Sequence, residues 1–290
     1  MRKFLLSQFF FFPLLVSSIS AFGADIWSFT GGGSESVVIE GRIEEGDFNK
    51  FIDAVEKGQG NVVTVYLFTP GGSFYEAMKI GEAIRDLELA SMVPMKSDDE
   101  TPVCGGFSLP RPKNPENCTC ASAGFFIHIG SVHRGGTYLA VHRPYFIKGE
   151  YGGYSQTEAQ SAFEHLQSTA KQYMTNMGVP EHLQSEVLGI SSERVVVLDE
   201  KTVKTYFWQG LPYRHEWMRN RCGELSPSQM GRLEMYYDML ADQGRGAFSS
   251  NEKNDFFYLT DMKKKEIACV ADMQEHSREK AYKDYFQVGR

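Results

Sequence analysis

Short β-branched runs alternate along this chain with stretches of helical periodicity, and this alternation limits the folds that the chain can adopt. Residues 37–39 and 62–68 have the composition of strands, and the second run is apolar enough to be buried. Between them, from residue 48 to residue 55, apolar residues recur at the i, i+3, i+4 and i+7 positions of one helix face. Strands that alternate with helices in this way predict an α/β layered domain.

Capping residues predict where two of the helices begin. Ser73 and Glu76 have the spacing of a capping box, which predicts a helix directly after the break at residues 70–72. A longer helix is predicted to start at Thr157 and to carry Phe163 on its inward face. Both helices are expected to turn an apolar stripe toward the core.

The chain has 290 residues, enough for one substantial core and a small appendage. Residues 97–117 lose periodicity and gather Pro, Gly, Asp and Asn, which predicts a surface insertion within a domain over residues 25–212. From Ser226-Pro227 the chain is polar and helical, with Tyr237 on its apolar face. We therefore expect a mostly helical C-terminal extension over residues 213–290.

Residues 1–24 have the organisation of a secretory signal peptide. A positive start precedes the almost entirely apolar residues 4–16, and residues 21–24 offer a small-residue cleavage site. An uncleaved anchor helix would need about 20 apolar residues to span the bilayer, whereas Pro13 interrupts this run. No later segment is long and apolar enough to span a membrane. Cleavage and export are therefore expected.

All five cysteines lie beyond this leader. In an oxidising compartment they predict disulfides, and their odd number leaves at least one unpaired or intermolecular. We expect Cys104 to pair with Cys118 or Cys120, which would tether the insertion. Cys222 and Cys269 are expected to form the second bridge.

Nucleic acid and metal are both disfavoured as ligands. The net charge of −7 gives no overall attraction to nucleic acid, and the basic run at residues 263–265 is short. Cys118 and Cys120 with nearby His128 and His133 could ligate a metal, but they match neither a C-x-x-C pair nor an HExxH helix. We expect no metal, no cofactor and no nucleic acid, and we interpret both histidines as structural.

Three local signals carry the candidate chemistry. Ser122 lies among small residues before an apolar run, where a helix start would direct free N–H groups at developing negative charge. The glycines at residues 71–72 follow a buried strand and can open their N–H groups into a site. His142 follows a predicted strand, which gives it the fixed placement that a general base needs. Each signal alone also fits an ordinary cap, turn or core residue.

Taken in chain order, these segments resemble the ClpP serine peptidases. Residues 66–73, 121–124 and 140–144 are similar to that family's strand with S-P-G-G, its A-S-M-G nucleophile segment and its I-H-x-P base segment. Residues 198–211 resemble the stretch that leads through a helix to Y-G-L. The resemblance covers roughly residues 35–212 and is nearest to an uncharacterised bacterial periplasmic branch. It implies a ClpP/crotonase-like layered fold of repeated β-β-α units and a periplasmic location.

The resemblance also implies roles for individual residues. Ser122 would be the nucleophile, His142 the general base, and the N–H groups of Gly71, Gly72 and Ala123 the oxyanion hole. The implied reaction is acyl transfer to the serine followed by hydrolysis, without metal or cofactor, on a peptide or protein substrate.

The chain departs from the family at the third catalytic position. Val195 stands where the family carries its aspartate, and Glu193, two residues earlier, is the candidate third member. Otherwise a backbone carbonyl or water orients His142 and leaves a Ser-His dyad, which we favour. The family also lacks the insertion before Ser122, and its ATP-driven unfoldase partner does not fit an exported protein.

Other functions remain open at this stage. The missing acid favours a catalytically inactive ClpP-like scaffold that binds peptides or protein partners. A crotonase-fold thioester hydrolase or isomerase is disfavoured by export, because CoA thioesters are cytoplasmic. An α/β-hydrolase is disfavoured because Cys120 replaces the first glycine of G-x-S-x-G. A homo-oligomer is possible.

The leader generates the first testable prediction. Because the positive start, the apolar run and the small-residue site all precede Asp25, the mature protein should begin at Ala24 or Asp25. N-terminal sequencing of protein from the native host tests this, and Met1 retained on cytoplasmic protein would contradict it.

Overall fold

The computed structural model describes residues 23–31, 34–106, 109–146, 151–208, 210–243 and 248–287. The predicted signal peptide, apart from its last two residues, lies outside the described residues. The strands are β1 Asp25–Gly31, β2 Ser34–Glu40, β3 Val62–Phe68, β4 Ala90–Met92, β5 Met95–Lys96, β6 Pro102–Val103, β7 His133–Gly135, β8 Ala140–Val141 and β9 Val196–Val197. The helices are α1 Asp47–Lys57, α2 Phe74–Asp86, α3 Ala123–Gly130, α4 Gln156–Asn176, α5 Glu181–Gly189, α6 Glu200–Tyr206, α7 Pro212–Cys222, α8 Pro227–Gln243 and α9 Ser250–Gln287.

A five-stranded sheet in the order β1-β2-β3-β4-β7 forms the first layer. β1 runs antiparallel to β2, and the other neighbours are parallel. Val37 and Ile39 of β2 and Val65 and Leu67 of β3 are fully buried. Their β-branched and apolar side chains suit strands that are covered on the core side.

A second set of extended segments lies beside this sheet. Isolated parallel bridges join Ile43 to Gly72, Thr69 to Cys120 and Ala121 to Ala140, and β8 pairs antiparallel with β9. The segments at Ile43 and Thr69 follow closely after strands of the first sheet, whereas the segment at Cys120 follows the insertion. These bridges hold distant parts of the chain edge to edge.

The two layers repeat one pattern along the chain. β3 leads to the extended residues 69–72 and then α2, and β7 leads to β8 and then α4. Between them, β4 leads to residues 119–122 and then α3, with the insertion looped out ahead of the second segment. The prediction of an α/β fold of repeated β-β-α units with a helical C-terminal region is confirmed.

Helices α2 and α3 cross at very short distance. A Cβ added to Gly130 would lie 2.2 Å from the Gly81 carbonyl oxygen, so only glycine permits this approach. Tyr173 of α4 closes the crossing, because its hydroxyl donates to the Phe126 carbonyl at 2.9 Å. The small residues of α3 thus let a fully buried helix pack against backbone.

Two arginines, Arg134 buried and Arg85 half-buried, satisfy helix C-termini in the same region. Arg85 donates to the carbonyls of Gly130 and Ile129, and Arg134 donates to those of Ile129 and Met177. Carbonyl groups at a helix end lack intrahelical partners and favour nearby cations. The pair therefore joins the ends of α3 and α4.

The C-terminal extension packs on the rest of the protein. Leu233, Tyr236 and Leu259 belong to a small apolar cluster between α8 and α9. Near the end of α9, Tyr282 and Phe286 pack against the main core. Among the described residues, no helix has both the length and the apolar character required to cross a bilayer.

Four sequence predictions about helices are corrected by the structure. The long helix begins after Ser155, whose hydroxyl and Glu158 form a reciprocal capping box, so Thr157 is not its cap. Phe163 is 37% exposed and lies under the Arg143 guanidinium instead of facing the core. The apolar repeat predicted an inward position for Phe163, but its side chain lies at the surface beside Arg143.

In α8, Tyr236 is buried and Tyr237 is half exposed, the reverse of the prediction. Ser73 does accept from the Glu76 N–H, but the Glu76 carboxylate binds the N–H groups of Gly46 and Phe48 instead of returning to Ser73. The expected capping box is therefore only half formed, because α1 takes the carboxylate.

The disulfide framework is resolved by the structure. Cys104 bonds to Cys118, and Cys222 bonds to Cys269, which joins α7 to α9. Cys120 is a fully buried thiol, and burial raises its pKa. The first bridge closes the insertion close to the candidate nucleophile.

The cysteines give the second prediction. Peptide mapping under non-reducing conditions should find Cys104 linked to Cys118 and Cys222 linked to Cys269. Cys120 should resist alkylation in the native state and react in denaturant, because its sulfur is buried and protonated. Replacing Cys222 and Cys269 by alanine should lower the free energy of unfolding by about 4 kcal/mol. A Cys104–Cys120 bridge, or rapid native alkylation of Cys120, would show this arrangement to be wrong.

Candidate active site

The glycine turn after β3 is held by hydrogen bonds to the Thr69 side chain and to the neighbouring loop that carries Ile43. Gly71 and Gly72 have φ angles of 116° and 139°, which other residues adopt only with strain. The Gly71 N–H donates to Thr69 Oγ1 at 3.0 Å, while its carbonyl accepts from the Ile43 N–H at 2.9 Å. Ser73 N–H returns to the Ile43 carbonyl at 2.8 Å. The turn is therefore held from both sides.

The loop that carries Ile43 is itself anchored to α2. Glu76, which is almost completely buried, accepts from the N–H groups of Gly46 and Phe48 and from Lys79. Although burial acts to raise it, the pKa of Glu76 is lowered overall by these hydrogen bonds and by the charge of Lys79. The carboxylate thus stays ionised and keeps the loop beside the glycine turn.

Ser122 has the most unusual backbone in the site. Its φ of 54° and ψ of −112° are rare for a residue with a side chain. The conformation is imposed from both sides, because the Ser122 N–H donates to the Ala140 carbonyl and its carbonyl starts α3 by accepting from Phe125. Strain of this kind persists where the surrounding structure fixes it, and it is concentrated at functional positions.

Gly71 lies directly against the serine. A Cβ added to Gly71 would lie 2.6 Å from Ser122 Cβ and 3.1 Å from its Oγ. This separation is far below normal contact for carbon atoms, so the first glycine is required for Ser122 to occupy its place. The order of glycine turn and serine in the sequence thus corresponds to physical contact.

His142 follows β8 and is 7% exposed. Its Nδ1 lies 2.8 Å from the Arg143 carbonyl oxygen. A carbonyl can only accept, so we assign the proton to Nδ1 and leave Nε2 as the free base. The backbone carbonyl therefore supplies the tautomer that a general base requires.

Two backbone donors in the site are available to a ligand. In the described part of the chain, the N–H groups of Gly72 and Ala123 have no protein acceptor. The Gly71 N–H, which the resemblance also implied as an oxyanion donor, is already taken by Thr69. The structure thus leaves two of the three expected donors open.

Ser122 and His142 line one cavity of about 230 Å³ together with Gly72 and Ala123. No hydrogen bond joins Ser122 to His142 within the residues that the structure describes. In the absence of substrate such contacts are often long and tighten only when the substrate is bound. The arrangement brings the serine, the histidine and the two open donors to one surface.

The expected third member is not in contact with the histidine. Glu193 is exposed, and its own N–H donates to the Ser191 hydroxyl. Among the described residues, neither Glu193 nor another carboxylate hydrogen-bonds His142. Val195 is 56% exposed. The Nδ1 atom of His142 contacts the Arg143 carbonyl and, among the described residues, no carboxylate.

The other sequence candidates lie elsewhere. His128 is fully buried with its Nδ1 2.8 Å from Ser91 Oγ, and burial together with Arg134 lowers the pKa of His128 to about 3. His133 begins β7 and contacts Gln274 of α9. Within the described ranges, no three His, Cys, Asp or Glu side chains cluster in a way that could hold a metal.

Sequence reasoning missed most of the cavity wall. Apolar side chains from α2, α3, α4 and the segment after His142 line it, namely Phe74, Tyr75, Phe126, Tyr145, Phe146 and Leu166. An ion pair of Arg42 and Glu44, 2.8 Å apart, completes the lining. The aromatic pair directly after His142-Arg143-Pro144 was a visible signal. No signal in the sequence indicated the ion pair, because its loop is far along the chain from Ser122 and His142.

The fold and site thus define an α/β protein of β-β-α units that carries a serine and a histidine on one cavity. No protein-family model and no curated protein matches the chain. Solved structures of one protease are similar to it. A mutant of the 1510-N membrane-bound stomatin-specific protease gives a TM-score of 0.39 at 16% identity, over 65% of this chain and 84% of that chain. Another mutant of that protease, in complex with a substrate peptide, gives 0.39 at 17% identity, over 59% and 70%. At this overlap the likeness assigns neither a family nor an activity.

The contact between glycine and serine gives the third prediction. Gly71→Ala should lower the free energy of unfolding by about 1–3 kcal/mol, because the new methyl group overlaps Ser122 and the φ angle disfavours alanine. Urea denaturation measures this. Gly231→Ala is the matched control in α8, where a Cβ meets nothing within 4 Å, and it should be neutral or stabilising. Equal stability of Gly71→Ala and the parent would contradict the contact.

Proposed function

We propose that this protein is an exported serine hydrolase that cleaves polypeptides through an acyl-enzyme on Ser122, with His142 as base. The observation that carries the proposal is one cavity shared by a strained serine, a histidine with a carbonyl-bound Nδ1, and two open N–H groups. A structural serine cap requires neither the strain nor the histidine. Hydrolysis through a serine uses all of them.

Each residue of the site takes one role in the proposed reaction. Nε2 of His142 takes the Ser122 hydroxyl proton as Oγ attacks the substrate carbonyl carbon. The oxyanion that forms accepts from the N–H groups of Gly72 and Ala123, which lie beside the helix start where positive partial charge gathers. The imidazolium then gives its proton to the leaving amine. Water, deprotonated by the same Nε2, hydrolyses the ester and restores Ser122.

The dyad form of this mechanism is supported by the contact at Nδ1. In a triad the acid fixes the tautomer and stabilises the imidazolium charge. The Arg143 carbonyl fixes the tautomer but carries only a partial charge, so it stabilises the charged ring less than a carboxylate would. We therefore propose a slower enzyme than one with a complete triad.

The cavity wall supports a peptide substrate with a large apolar side chain. The lining is formed by aromatic rings and Leu166, which favour burial of apolar surface. The Arg42–Glu44 ion pair supplies polar groups of both signs beside it, which suits the amide backbone of a peptide.

Export to the periplasm is part of the proposal. Two disulfides, one inside the insertion and one between α7 and α9, support folding in an oxidising compartment. The leader pattern supports the same location.

A catalytically inactive, peptide-binding scaffold is the second candidate. It is favoured by the lack of a described hydrogen bond between Ser122 and His142 and by the exposed Glu193. The same apolar cavity would then bind a peptide without cleaving it. The two candidates differ in whether Ser122 is nucleophilic.

A fluorophosphonate probe separates the candidates and gives the fourth prediction. The probe should form a phosphorus–oxygen bond with Ser122 Oγ and release fluoride, and Ser122→Ala should abolish labelling. His142→Ala should slow labelling by about 10³-fold or more, because the base is lost. Glu193→Gln should leave the rate nearly unchanged, since its side chain does not contact His142.

His182→Ala, at an exposed histidine of α5, is the matched control and should label like the parent. If Glu193→Gln is as slow as His142→Ala, the dyad is wrong and Glu193 is the third member. If the parent never labels, the scaffold function replaces the hydrolase.

A further inference from the structure

A buried carboxylate lies at the predicted processing site. Asp47, the first residue of α1, has a side chain with 0% exposure. Its Oδ2 accepts from the Ala24 N–H at 2.8 Å and from the Glu44 N–H at 2.8 Å, and its Oδ1 accepts from Lys50 at 2.7 Å. Nothing in the mechanism above uses this carboxylate.

The bond that joins Gly23 to Ala24 fits a leader-peptidase site. Ala21 and Gly23 supply the small side chains that such enzymes require on the leader side of the cut. Gly23 is pressed on the carboxylate, because an added Cβ would lie 2.5 Å from Asp47 Oδ1. A cavity of about 580 Å³ is lined by both Gly23 and Ala24.

Cleavage here changes the chemistry of the Ala24 nitrogen. Addition of water across the Gly23–Ala24 peptide bond by a leader peptidase gives a Gly23 carboxylate and an Ala24 ammonium group. The neutral N–H that now donates to Asp47 becomes a cation with three donors. A hydrogen bond between a cation and a carboxylate is roughly twice as strong as one from a neutral amide.

Asp47 connects this nitrogen to the oxyanion turn through a short path. The Glu44 N–H binds Asp47, and Ile43, the preceding residue, exchanges hydrogen bonds with Gly71 and Ser73. Gly72, whose N–H is open, packs against Ile43 so closely that an added Cβ would lie 2.1 Å from its carbonyl oxygen. Displacement of the Ile43 loop therefore displaces the turn.

We propose that the Ala24 ammonium group released by leader cleavage forms an ion pair with Asp47, and that this pair positions the loop holding the Gly71–Gly72 turn. Asp47 is a positioning residue in this arrangement, since it touches neither substrate nor Ser122. The cut thus both separates the leader and completes the site. The effect on catalysis rests on the proposed hydrolase activity, whereas the ion pair and the loop order rest only on the proposed export and cleavage of the leader.

The test compares two N-termini in the full chain. One form begins at Ala24, released from a fusion by a protease that leaves no extra residue. The other retains Gly23 and a short preceding segment, so that the Ala24 nitrogen stays an amide. Each form is made as the parent, as Asp47→Asn and as Asp53→Asn, the matched control at an exposed aspartate on the same helix.

Three measurements test the ion pair, the order of the Ile43 loop and the reactivity of Ser122. Acylation of the Ala24 amino group under native conditions should be slow in the parent and about tenfold or more faster in Asp47→Asn, the factor that corresponds to one lost charge-assisted hydrogen bond. Hydrogen exchange over residues 41–48 should be slower in the processed form than in the extended form. Labelling of Ser122 by the fluorophosphonate should be faster in the processed form, by up to about 10²-fold if the turn is displaced by about 1 Å without the pair.

A purely structural role for Asp47 would give a different pattern. Asp47→Asn would then slow labelling and speed exchange equally in both forms, and this result would overturn the proposal. So would an Ala24 amino group that is acylated equally fast in the parent and in Asp47→Asn. If no form labels but acylation and exchange behave as expected, the ion pair and loop order stand and the hydrolase function fails. Asp53→Asn should match the parent throughout.

Discussion

Hydrogen bonds between three backbone segments fix the candidate site, and its other features depend on them. Ala121 donates to the Thr69 carbonyl, Ala140 to the Cys120 carbonyl, and Ser122 to the Ala140 carbonyl. Because backbone bonds set position regardless of side chain, this ladder brings segments remote in sequence to within one strand spacing, about 4.8 Å. Ser122 lies at the end of the middle segment, next to the histidine-bearing segment on one side and the glycine turn on the other.

The features that the sequence predicted are those that local chemistry determines. Strand β3 and helix α1 follow from β-branched content and helical spacing, and the small residues around Ser122 anticipated the fully buried α3. The order of turn, serine and histidine anticipated that they would meet, since each follows a strand and strand ends of such repeated units lie together. The cysteine pairing was narrowed to two options, and the geometry of the insertion selected Cys118.

What sequence reasoning missed depends on partners far along the chain. Strand β1 is half exposed and has weak alternation, and only its pairing with β2 makes it a strand. Glu76 was expected to cap its own helix, but its carboxylate accepts instead from the free N–H groups at the start of α1. The phase of α8 is set by α9, which takes Tyr236 into the interface. The carbonyl that orients His142 belongs to the next residue and carries no side-chain signal at all.

The docking of α9 links the last residues to the first third of the protein. The Tyr282 hydroxyl donates to the Glu56 carbonyl at the end of α1, and Tyr285 and Phe286 cover the same core. These contacts have a very large sequence separation, and high contact order slows folding because long loops must close first. A nascent chain therefore leaves the apolar surface near α1 uncovered until α9 has been synthesised.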